Sequence, residues 1–173
     1  MAIYALGDQV PEIHPEAFVH PDATVIGSVA IGAWASIWPG TVLRGDFGRV
    51  EIGARTSIQD GTVLHTTADW PTVVGADCVI GHNAHLEGCT VGDGCLIGSG
   101  SIVLNRAVVE PGGAVGAAAL VQEGTTVPAG QIALGVPARV VRAPAELERW
   151  VSEAVDTYVG AGKRYRAELR RIG

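Results

Sequence analysis

The fold is decided between Leu43 and Val91, where the chain reads LRGDFGRVEIGARTSIQDGTVLHTTADWPTVVGADCVIGHNAHLEGCTV. An aliphatic residue recurs there about every six positions, and polar side chains directly follow several of these aliphatics. The recurring aliphatics are Leu43, Ile52, Ile58, Leu64, Val74, Ile80, Leu86 and Val91. The aliphatic pattern predicts a repetitive scaffold, and the polar pattern predicts a site that the scaffold holds.

The six-residue period continues on both sides of this stretch and groups the aliphatics into triplets. The triplets are His14/His20/Ile26 (less regular), Ile31/Ile37/Leu43, Ile52/Ile58/Leu64, Val74/Ile80/Leu86, Val91/Ile97/Val103 and Val109/Val115/Val121. Three hexads per triplet predict three short strands in each coil of a prism, with about 18 residues per coil. Because side chains alternate along a strand, the aliphatic (position i) and the residue at i−2 should point inward. The sequence therefore predicts an all-β parallel β-helix over residues 1–140.

A helical pattern follows the repeats. From Pro144 onward, apolar residues recur at helical spacing, which predicts a C-terminal α-helix over residues 144–171. Its apolar residues are Leu147, Trp150, Val151, Val155, Tyr158 and Val159. We expect this helix to pack alongside the prism as part of the same domain.

Composition limits the partners and the compartment. The 173 residues carry a formal charge of −6 and include no basic run, which argues against nucleic acid or an anionic membrane as partner. The sequence has no apolar stretch of 18 residues and no recognisable signal peptide at its start. Cys78, Cys89 and Cys95 all fall at i−2, where they should be core filler and reduced thiols. We therefore expect a cytoplasmic protein that does not enter a membrane.

Two interruptions of the period point to a binding surface. Leu43 to Ile52 contains three extra residues, 47–49, and Leu64 to Val74 contains four, near 67–70. Both interruptions follow the third strand of consecutive coils, so they should leave the prism at the same corner. Extra residues at one corner of a repeat protein commonly build a binding surface.

Polar residues beside this corner should form two strips. Arg44, His65 and Glu87 each occupy i+1 of a third strand, so they should form one outward column with neighbours about 4.8 Å apart. Asp60 and His82 occupy i+2 of the second strand, one coil apart. A catalytic zinc takes three protein ligands and leaves one open position, and the two histidines are the strongest candidates. Because they lie on different faces, a single prism is not expected to bring them together, whereas association of prisms around a threefold axis could bring His82 of one chain beside His65 of the next.

The whole set of motifs resembles the γ-class carbonic anhydrase family. The matching runs are RGD (44–46), IGARTSIQDGTVLH (52–65), GH (81–82), LEGCTVGDGCLIGSGS (86–101) and ALGVPARVVR (133–142). The resemblance implies a left-handed β-helix and a homotrimer with three interfacial metal sites. It also implies reversible hydration of carbon dioxide to bicarbonate by a metal-bound hydroxide. The implied metal is zinc, with iron or cobalt as alternatives.

The resemblance also assigns roles to individual residues. His65 and residue 87 of one chain and His82 of its neighbour would hold the metal, while Gln59 would orient the bound water or bicarbonate. The remaining implied site residues are Arg44 and Asp60 as interface ion pairs, Asp46 in the same network, and Tyr158 reaching the site from the helix.

This sequence departs from the family at the third ligand. Glu87 occupies the position of the usual histidine, and an additional His85 lies two residues earlier. Either Glu87 binds the metal directly, or His85 binds it with Glu87 accepting from its second ring nitrogen. Phe47 and Asp69 stand where the family pattern places a richer set of acidic residues for proton transfer, which predicts slow turnover.

Two other functions remain open at this level. Hexapeptide-repeat prisms also serve as acyl-CoA transferases or thioesterase-type enzymes, in which a histidine acts as general base. The change at position 87 is also compatible with a non-catalytic trimeric scaffold whose metal site has decayed.

Overall fold

The computed structural model describes residues 2–173 and shows a parallel β-solenoid with one helix against it. The strands are β1 Ala2–Tyr4, β2 Glu12–Ile13, β3 Phe18–Val19, β4 Thr24–Ile31, β5 Ser36–Ile37, β6 Val42–Ile52, β7 Ser57–Ile58, β8 Val63–His65, β9 Thr72–Val74, β10 Val79–Ile80, β11 His85–Glu87, β12 Thr90–Val91, β13 Leu96–Ile97, β14 Ile102–Val103, β15 Val108–Val109, β16 Ala114–Val115, β17 Leu120–Val121, β18 Thr126–Val127, β19 Gln131–Leu134 and β20 Arg139–Arg142. The helix α1 spans Leu147–Glu168. The predicted β-helix with a C-terminal helix is confirmed, and its left-handed sense stays a prediction.

The strands form two sheets that enclose the prism. Strands β3, β5, β7, β10, β13, β16 and β19 stack in parallel on one face, and β20 closes that sheet in antiparallel orientation. The other two faces belong to one 12-stranded sheet, because β4 and β6 are long enough to continue from one face onto the next. Each short strand finds its backbone partners in the coils before and after it, so no coil is complete without its neighbours.

The interior is a stack of aliphatic side chains. Leu43 pairs in register with Leu64, and Leu64 pairs with Leu86 in the next coil. All three are fully buried. The cysteines predicted at i−2 are buried free thiols in the same core. Small i−2 residues leave room for the large aliphatics, so a core with few aromatic rings can still be closely packed.

The register of the first coil differs from the sequence prediction by one residue. Its inward residues are Ile13, Val19 and Val25, which pair with Ile31, Ile37 and Leu43. The predicted inward triplet His14, His20 and Ile26 is therefore wrong. Both histidines instead lie at corners of the prism. The backbone N–H of Glu16 donates a hydrogen bond to His14 Nδ1, and that of Asp22 donates one to His20 Nδ1, with an N···N distance of 3.1 Å in each case. A corner position satisfies the ring nitrogen, whereas the aliphatic core offers it no partner.

The helix α1 covers the face formed by β3, β5, β7 and β10. Its buried side chains repeat every fourth residue, at Leu147, Val151, Val155 and Val159. Trp150, predicted on the same apolar face, is 46% exposed, so that assignment is wrong. The buried stripe is narrow because the helix rests on a flat sheet face, and Trp150 lies at its edge. No helix among residues 2–173 is long and apolar enough to cross a bilayer.

The two interruptions of the repeat lie side by side, as expected. The extra residues at 47–49 stay within the continuous strand β6 and form a bulge opposite Ser28 of β4, rather than a separate loop. The second interruption is a loop between β8 and β9. Gly48 lies so close to this loop that an added Cβ would be 2.5 Å from the Thr67 carbonyl oxygen. The bulge and the loop therefore build one corner of the prism.

Candidate functional site

The register places Arg44, His65 and Glu87 in one outward column across three coils. The residue before each of the three, such as Leu64, is buried in the aliphatic core. This packing holds the backbone of each strand in place. The His65 side chain is only 14% exposed and that of Glu87 is 27% exposed. The column is therefore a partly enclosed polar strip, which distinguishes it from a solvated ladder of surface charges.

His65 has a carboxylate at each ring nitrogen. Its Nε2 lies 3.0 Å from Asp46 Oδ1, and its Nδ1 lies 3.2 Å from Glu87 Oε1. Because a neutral imidazole carries a single N–H, only one of these carboxylates can accept a hydrogen bond from it. The other nitrogen then presents a lone pair toward a carboxylate, an arrangement that a cation placed between them would stabilise.

Asp46 is anchored more firmly than the rest of the strip. It accepts hydrogen bonds from Arg44 and from the backbone N–H of Phe47. Burial alone would raise the pKa of Asp46, but hydrogen bonds from Arg44 and His65 lower it below its ordinary value. Asp46 is therefore a fixed anion, and it holds one side of the His65 ring.

His85 lies on the same strand as Glu87, two residues before it, and extends the polar strip. Its Nε2 is 3.3 Å from Glu87 Oε2, so Glu87 contacts His65 with one oxygen and His85 with the other. The His85 side chain is 37% exposed. The structure thus brings both candidates for the third ligand together, and Glu87 lies between the two imidazoles.

Aromatic side chains border the strip at the bulge and the loop. The Phe47 ring meets the His65 ring edge-on, with 5.9 Å between centroids, although Phe47 is 65% exposed. Trp70 of the neighbouring loop is 37% exposed and lies under the Arg106 guanidinium at 5.1 Å. Phe47 therefore gives His65 an apolar neighbour where the family pattern led us to look for an acid.

A second polar group lies on a different face of the prism. His82 Nδ1 is 2.9 Å from Asp60 Oδ2, and both side chains are about half exposed. Tyr158 of α1 is influenced by this group: burial raises the pKa of its phenol, and the negative charge of Asp60 raises it further. Gln59, next to Asp60, is only 4% exposed. Within one chain, this group is separate from the His65 strip.

The donors of the His65 strip fit part of a zinc site. Bonds of about 2.0–2.2 Å in a tetrahedral site place two donor atoms about 3.3 Å apart. The 3.2 Å between His65 Nδ1 and Glu87 Oε1 is close to this length, and it is also the length of a hydrogen bond between the two side chains. Within residues 2–173, however, no group of three or more histidines, cysteines or carboxylates has the arrangement of a metal site.

One contact of the site was missed by the sequence analysis. Asp46 was expected only as part of an ion-pair network, whereas it contacts His65 directly. The signal was present, because Asp46 follows Arg44 by two residues and alternation puts both on the same side of the strand. The bulge that turns Asp46 toward the next coil could not be read from the spacing.

Comparison with known proteins places the chain among hexapeptide-repeat proteins. Residues 71–105 match the family model for the bacterial transferase hexapeptide (six repeats). The chain is 41% identical over 168 residues to the mitochondrial gamma carbonic anhydrase 1 of Arabidopsis thaliana, covering 93% of this chain but only 61% of that protein. It is 42% identical over 142 residues to the carnitine operon protein CaiE of Escherichia coli, covering 82% of this chain and 72% of CaiE.

Two solved structures share the fold over nearly their entire length. A Bacillus cereus protein described as a candidate acetyltransferase superposes with a TM-score of 0.95 at 34% identity, covering 97% of this chain and 98% of that one. A hexapeptide transferase family protein from Anaplasma phagocytophilum superposes with a TM-score of 0.91 at 37% identity, covering 97% of this chain and 98% of that one. Together with the relatives above, these matches show that the chain belongs to the γ-carbonic-anhydrase-like family of hexapeptide-repeat proteins.

Proposed function

We propose that this protein is a metal-dependent, γ-carbonic-anhydrase-like enzyme whose metal lies between the subunits of a homotrimer. The observation that carries the proposal is the in-register column that sets His65 beside Glu87, with Nδ1 3.2 Å from Oε1. The Arabidopsis relative is named a gamma carbonic anhydrase, which supports the same reaction class. The substrate is carbon dioxide, and the product is bicarbonate.

The ligand set would combine two faces of the prism. His65 and Glu87 of one chain would hold the metal together with His82 of the next, and His85 is the alternative to Glu87. These residues would hold a zinc ion that would supply Lewis-acid activation of water, lowering the pKa of that water to about 7. Iron or cobalt would supply the same chemistry from these donors.

The surrounding residues would support the ligands and the substrate. Asp46, held by Arg44, fixes the His65 ring through Nε2. The Arg44 side chain is 39% exposed, so its cation can also attract a bicarbonate anion. Phe47 shields one edge of His65 from water and offers an apolar surface suited to carbon dioxide. Gln59 would orient the nucleophile once a neighbouring chain encloses the site.

Mixing two inactive variants tests the shared site. His65→Ala and His82→Ala each remove a different ligand, so each homotrimer should bind no stoichiometric zinc and lack hydration activity. If every site takes His65 from one chain and His82 from the next, each mixed trimer contains one intact site. Random reassembly of equal amounts should therefore restore about one-quarter of the wild-type zinc content and activity.

Three measurements evaluate the mixture: zinc by mass spectrometry, mass by light scattering and hydration by stopped flow. A wild-type monomer would end the proposal, and so would a mixture with no more zinc than either variant alone. A mixture of His65→Ala and Glu87→Ala serves as the control, because both residues belong to the same half of the site. It should recover no zinc.

The rival functions give different outcomes in the same preparation. The two structural relatives described as transferases favour acyl transfer, in which His65 with Asp46 would act as a general base. That function, or thioester hydrolysis, predicts retention of coenzyme A or its acyl esters and activity without metal. A trimer that binds neither zinc nor coenzyme A, and gains no activity from Glu87→His, would be the scaffold.

A further inference from the structure

A buried threonine connects the strand ends that carry His65 and Glu87. Thr72 is the first residue of β9, directly after the loop that follows β8, and it is 0% exposed. Its hydroxyl donates a hydrogen bond to the His65 carbonyl oxygen and accepts one from the Gly88 backbone N–H at 2.8 Å. Gly88 directly follows Glu87. One hydroxyl group therefore joins the backbone beside both residues that the proposed function makes ligands in one chain.

The chemistry of the three groups fixes the direction of both hydrogen bonds. A carbonyl oxygen only accepts and a backbone N–H only donates, whereas a hydroxyl has one proton to donate and lone pairs that accept. The Thr72 proton must therefore point at the His65 carbonyl oxygen, and a lone pair must face the Gly88 N–H. A side chain without a hydroxyl would leave both backbone groups without this partner.

The regular coils show why this corner needs a side-chain donor. In a later coil, the residue after the inward aliphatic of the third strand accepts a turn hydrogen bond, from the Ala107 N–H to the Leu104 carbonyl oxygen at 3.1 Å. His65 occupies the same position in its own coil, but there the four extra residues of the loop take the place of the short turn. The Thr72 hydroxyl supplies a donor to the His65 carbonyl oxygen at this interrupted corner.

The surroundings leave Thr72 little room to move. Its backbone pairs in register with Val50 of the preceding coil. The loop before it is closed by Thr66, a fully buried residue whose hydroxyl donates to the Trp70 carbonyl oxygen at 2.8 Å. A Cβ added to Gly88 would be 3.1 Å from the Trp70 Cβ, so the loop also packs against the turn after Glu87. Loss of the Thr72 hydroxyl could therefore not be repaired by a small shift of its strand.

We propose that Thr72 is a positioning residue whose hydroxyl fixes the strand ends of His65 and Glu87, so that both side chains project into the same metal site. The inference rests on the proposed function, which makes these side chains ligands. Leu64 and Leu86 hold the two strands before the ligands, and Thr72 holds the backbone after them. Both supports matter, because a binding constellation works only when its groups are held within about 0.5 Å of the productive geometry.

Three variants of Thr72 separate the hydroxyl from the rest of the side chain. Thr72→Val removes the hydroxyl and nearly preserves the shape, whereas Thr72→Ser keeps a hydroxyl and removes the methyl group. Thr72→Ala also lacks the hydroxyl, and it suits the coil because Ala107 occupies the equivalent position two coils later.

Thr56→Val is the matched control. Thr56 is also 0% exposed, and its hydroxyl donates to the Gly75 carbonyl oxygen at 2.7 Å and accepts from the Cys78 N–H at 3.1 Å. The control therefore loses one donated and one accepted hydrogen bond at a corner that carries no residue of the His65 strip. Any effect of general loosening should appear equally in both valine variants.

Four measurements compare the variants with the wild type. Chelator competition gives the zinc affinity, urea unfolding gives the stability, and light scattering confirms the trimer. Crystal structures of the metal-free proteins give the separation of His65 Nδ1 and Glu87 Oε1, which is a readout independent of zinc.

The two hydroxyl-free variants of Thr72 should weaken zinc binding about 10–100-fold while the trimer persists. In their metal-free structures, the separation of His65 Nδ1 and Glu87 Oε1 should differ from 3.2 Å by more than about 0.5 Å. Thr72→Ser should stay close to the wild type in both quantities. Thr56→Val should be destabilised as much as Thr72→Val in urea and should keep the zinc affinity of the wild type.

Wild-type zinc affinity in Thr72→Val would overturn the proposal, and so would an equal loss of affinity in Thr56→Val. A loss in Thr72→Ser as large as that in Thr72→Val would also overturn it, because the methyl group would then be responsible. If Thr72→Val does not fold, Thr72→Ala decides by the same criteria. A wild-type trimer without zinc would refute the proposed function alone. The metal-free structures would then decide: a displaced His65–Glu87 pair would establish the positioning role, and an unchanged pair would refute it.

Discussion

Glu87 lies one coil beyond His65 in the same column, with its Oε1 atom 3.2 Å from His65 Nδ1. The parallel register fixes the Cα atoms opposite each other, so the side chain at position 87 must project beside His65 whatever its chemistry. A histidine at this position would be neutral, whereas Glu87 brings a negative charge. The exchange therefore changes the charge of the candidate site and leaves its position in the fold unchanged.

Substitution of Glu87 should show whether its carboxylate binds the metal directly. We expect Glu87→His to bind zinc more tightly than wild type and to hydrate carbon dioxide at an equal or higher rate. Glu87→Ala should weaken zinc binding by more than about 100-fold, since loss of a residue that merely supports a ligand already costs about 10–100-fold. Calorimetric titration with zinc and stopped-flow assays measure both effects.

His85→Ala separates the two candidates for the third ligand. If Glu87 binds the metal, this variant should retain most of the zinc affinity, because His85 contacts only the second oxygen of Glu87. Retention of zinc in Glu87→Ala together with its loss in His85→Ala would instead identify His85 as the ligand.

The glycines of the bulge should be more sensitive than their surface position suggests. A Cβ added to Gly45 would collide with the Ser28 carbonyl oxygen, and backbone atoms cannot move away as a side chain could. We expect Gly45→Ala to lower the free energy of unfolding by about 1–3 kcal/mol and to displace Asp46 from His65. Urea unfolding followed by circular dichroism measures the stability.

Gly160 of α1 provides the control for this effect. A Cβ there would meet nothing within 4 Å, and alanine favours a helix by about 1 kcal/mol over glycine. Gly160→Ala should therefore be neutral or stabilising. Equal unfolding curves for wild type and Gly45→Ala would show that the bulge tolerates a side chain, contrary to the contact geometry.

The column at the centre of the site could be read from sequence because the six-residue period resumes after each interruption and the extra residues follow the third strand of a coil. Leu43, Leu64 and Leu86 mark the same position in three coils, and the residue after each must point outward on the same face. A parallel register places equivalent positions of successive triplets next to each other, even where extra residues make the coils differ in length.

The predicted positions of side chains were wrong or incomplete where the chain departs from the six-residue repeat. In the first coil His14 and His20 were placed inward, although the aliphatic residue before each one fills the core. The direct contact of Asp46 with His65 depends on a bulge opposite Ser28. The geometry of such a bulge is set by backbone pairing with the preceding coil, which residue spacing does not encode.

The three cysteines should resist modification until the protein unfolds. Cys78, Cys89 and Cys95 are at most 1% exposed. Burial raises the pKa of the Cys89 thiol to about 12, so the reactive thiolate is scarce at neutral pH. We expect no reaction with a water-soluble disulfide reagent in the native protein and three equivalents after urea unfolding.

An exposed thiol verifies that the reagent works under native conditions. Ser152 lies on the exposed side of α1, so Ser152→Cys should add one fast-reacting equivalent and leave the other three protected. Fast reaction of a native cysteine would mean that the coils open at that position.

Tyr158 should make stability depend on alkaline pH. Its pKa is raised by burial and by the charge of Asp60, so the folded state binds the phenol proton more tightly than the unfolded state. The resulting stabilisation is fully present below the ordinary tyrosine pKa of about 10 and is lost as pH rises through the folded value. Relative to Tyr158→Phe, the wild type should therefore lose free energy of unfolding above about pH 10.

Urea unfolding of the metal-free protein at several pH values between about 8 and 11 measures this difference. Tyr4→Phe, which removes a phenol that is 55% exposed, controls for the general effect of losing a hydroxyl group. Asp60→Ala should reduce the alkaline loss in wild type, because it removes one of the two causes of the raised pKa. A difference between wild type and Tyr158→Phe that stays constant across this range would show that the phenol is neither desolvated nor coupled to Asp60.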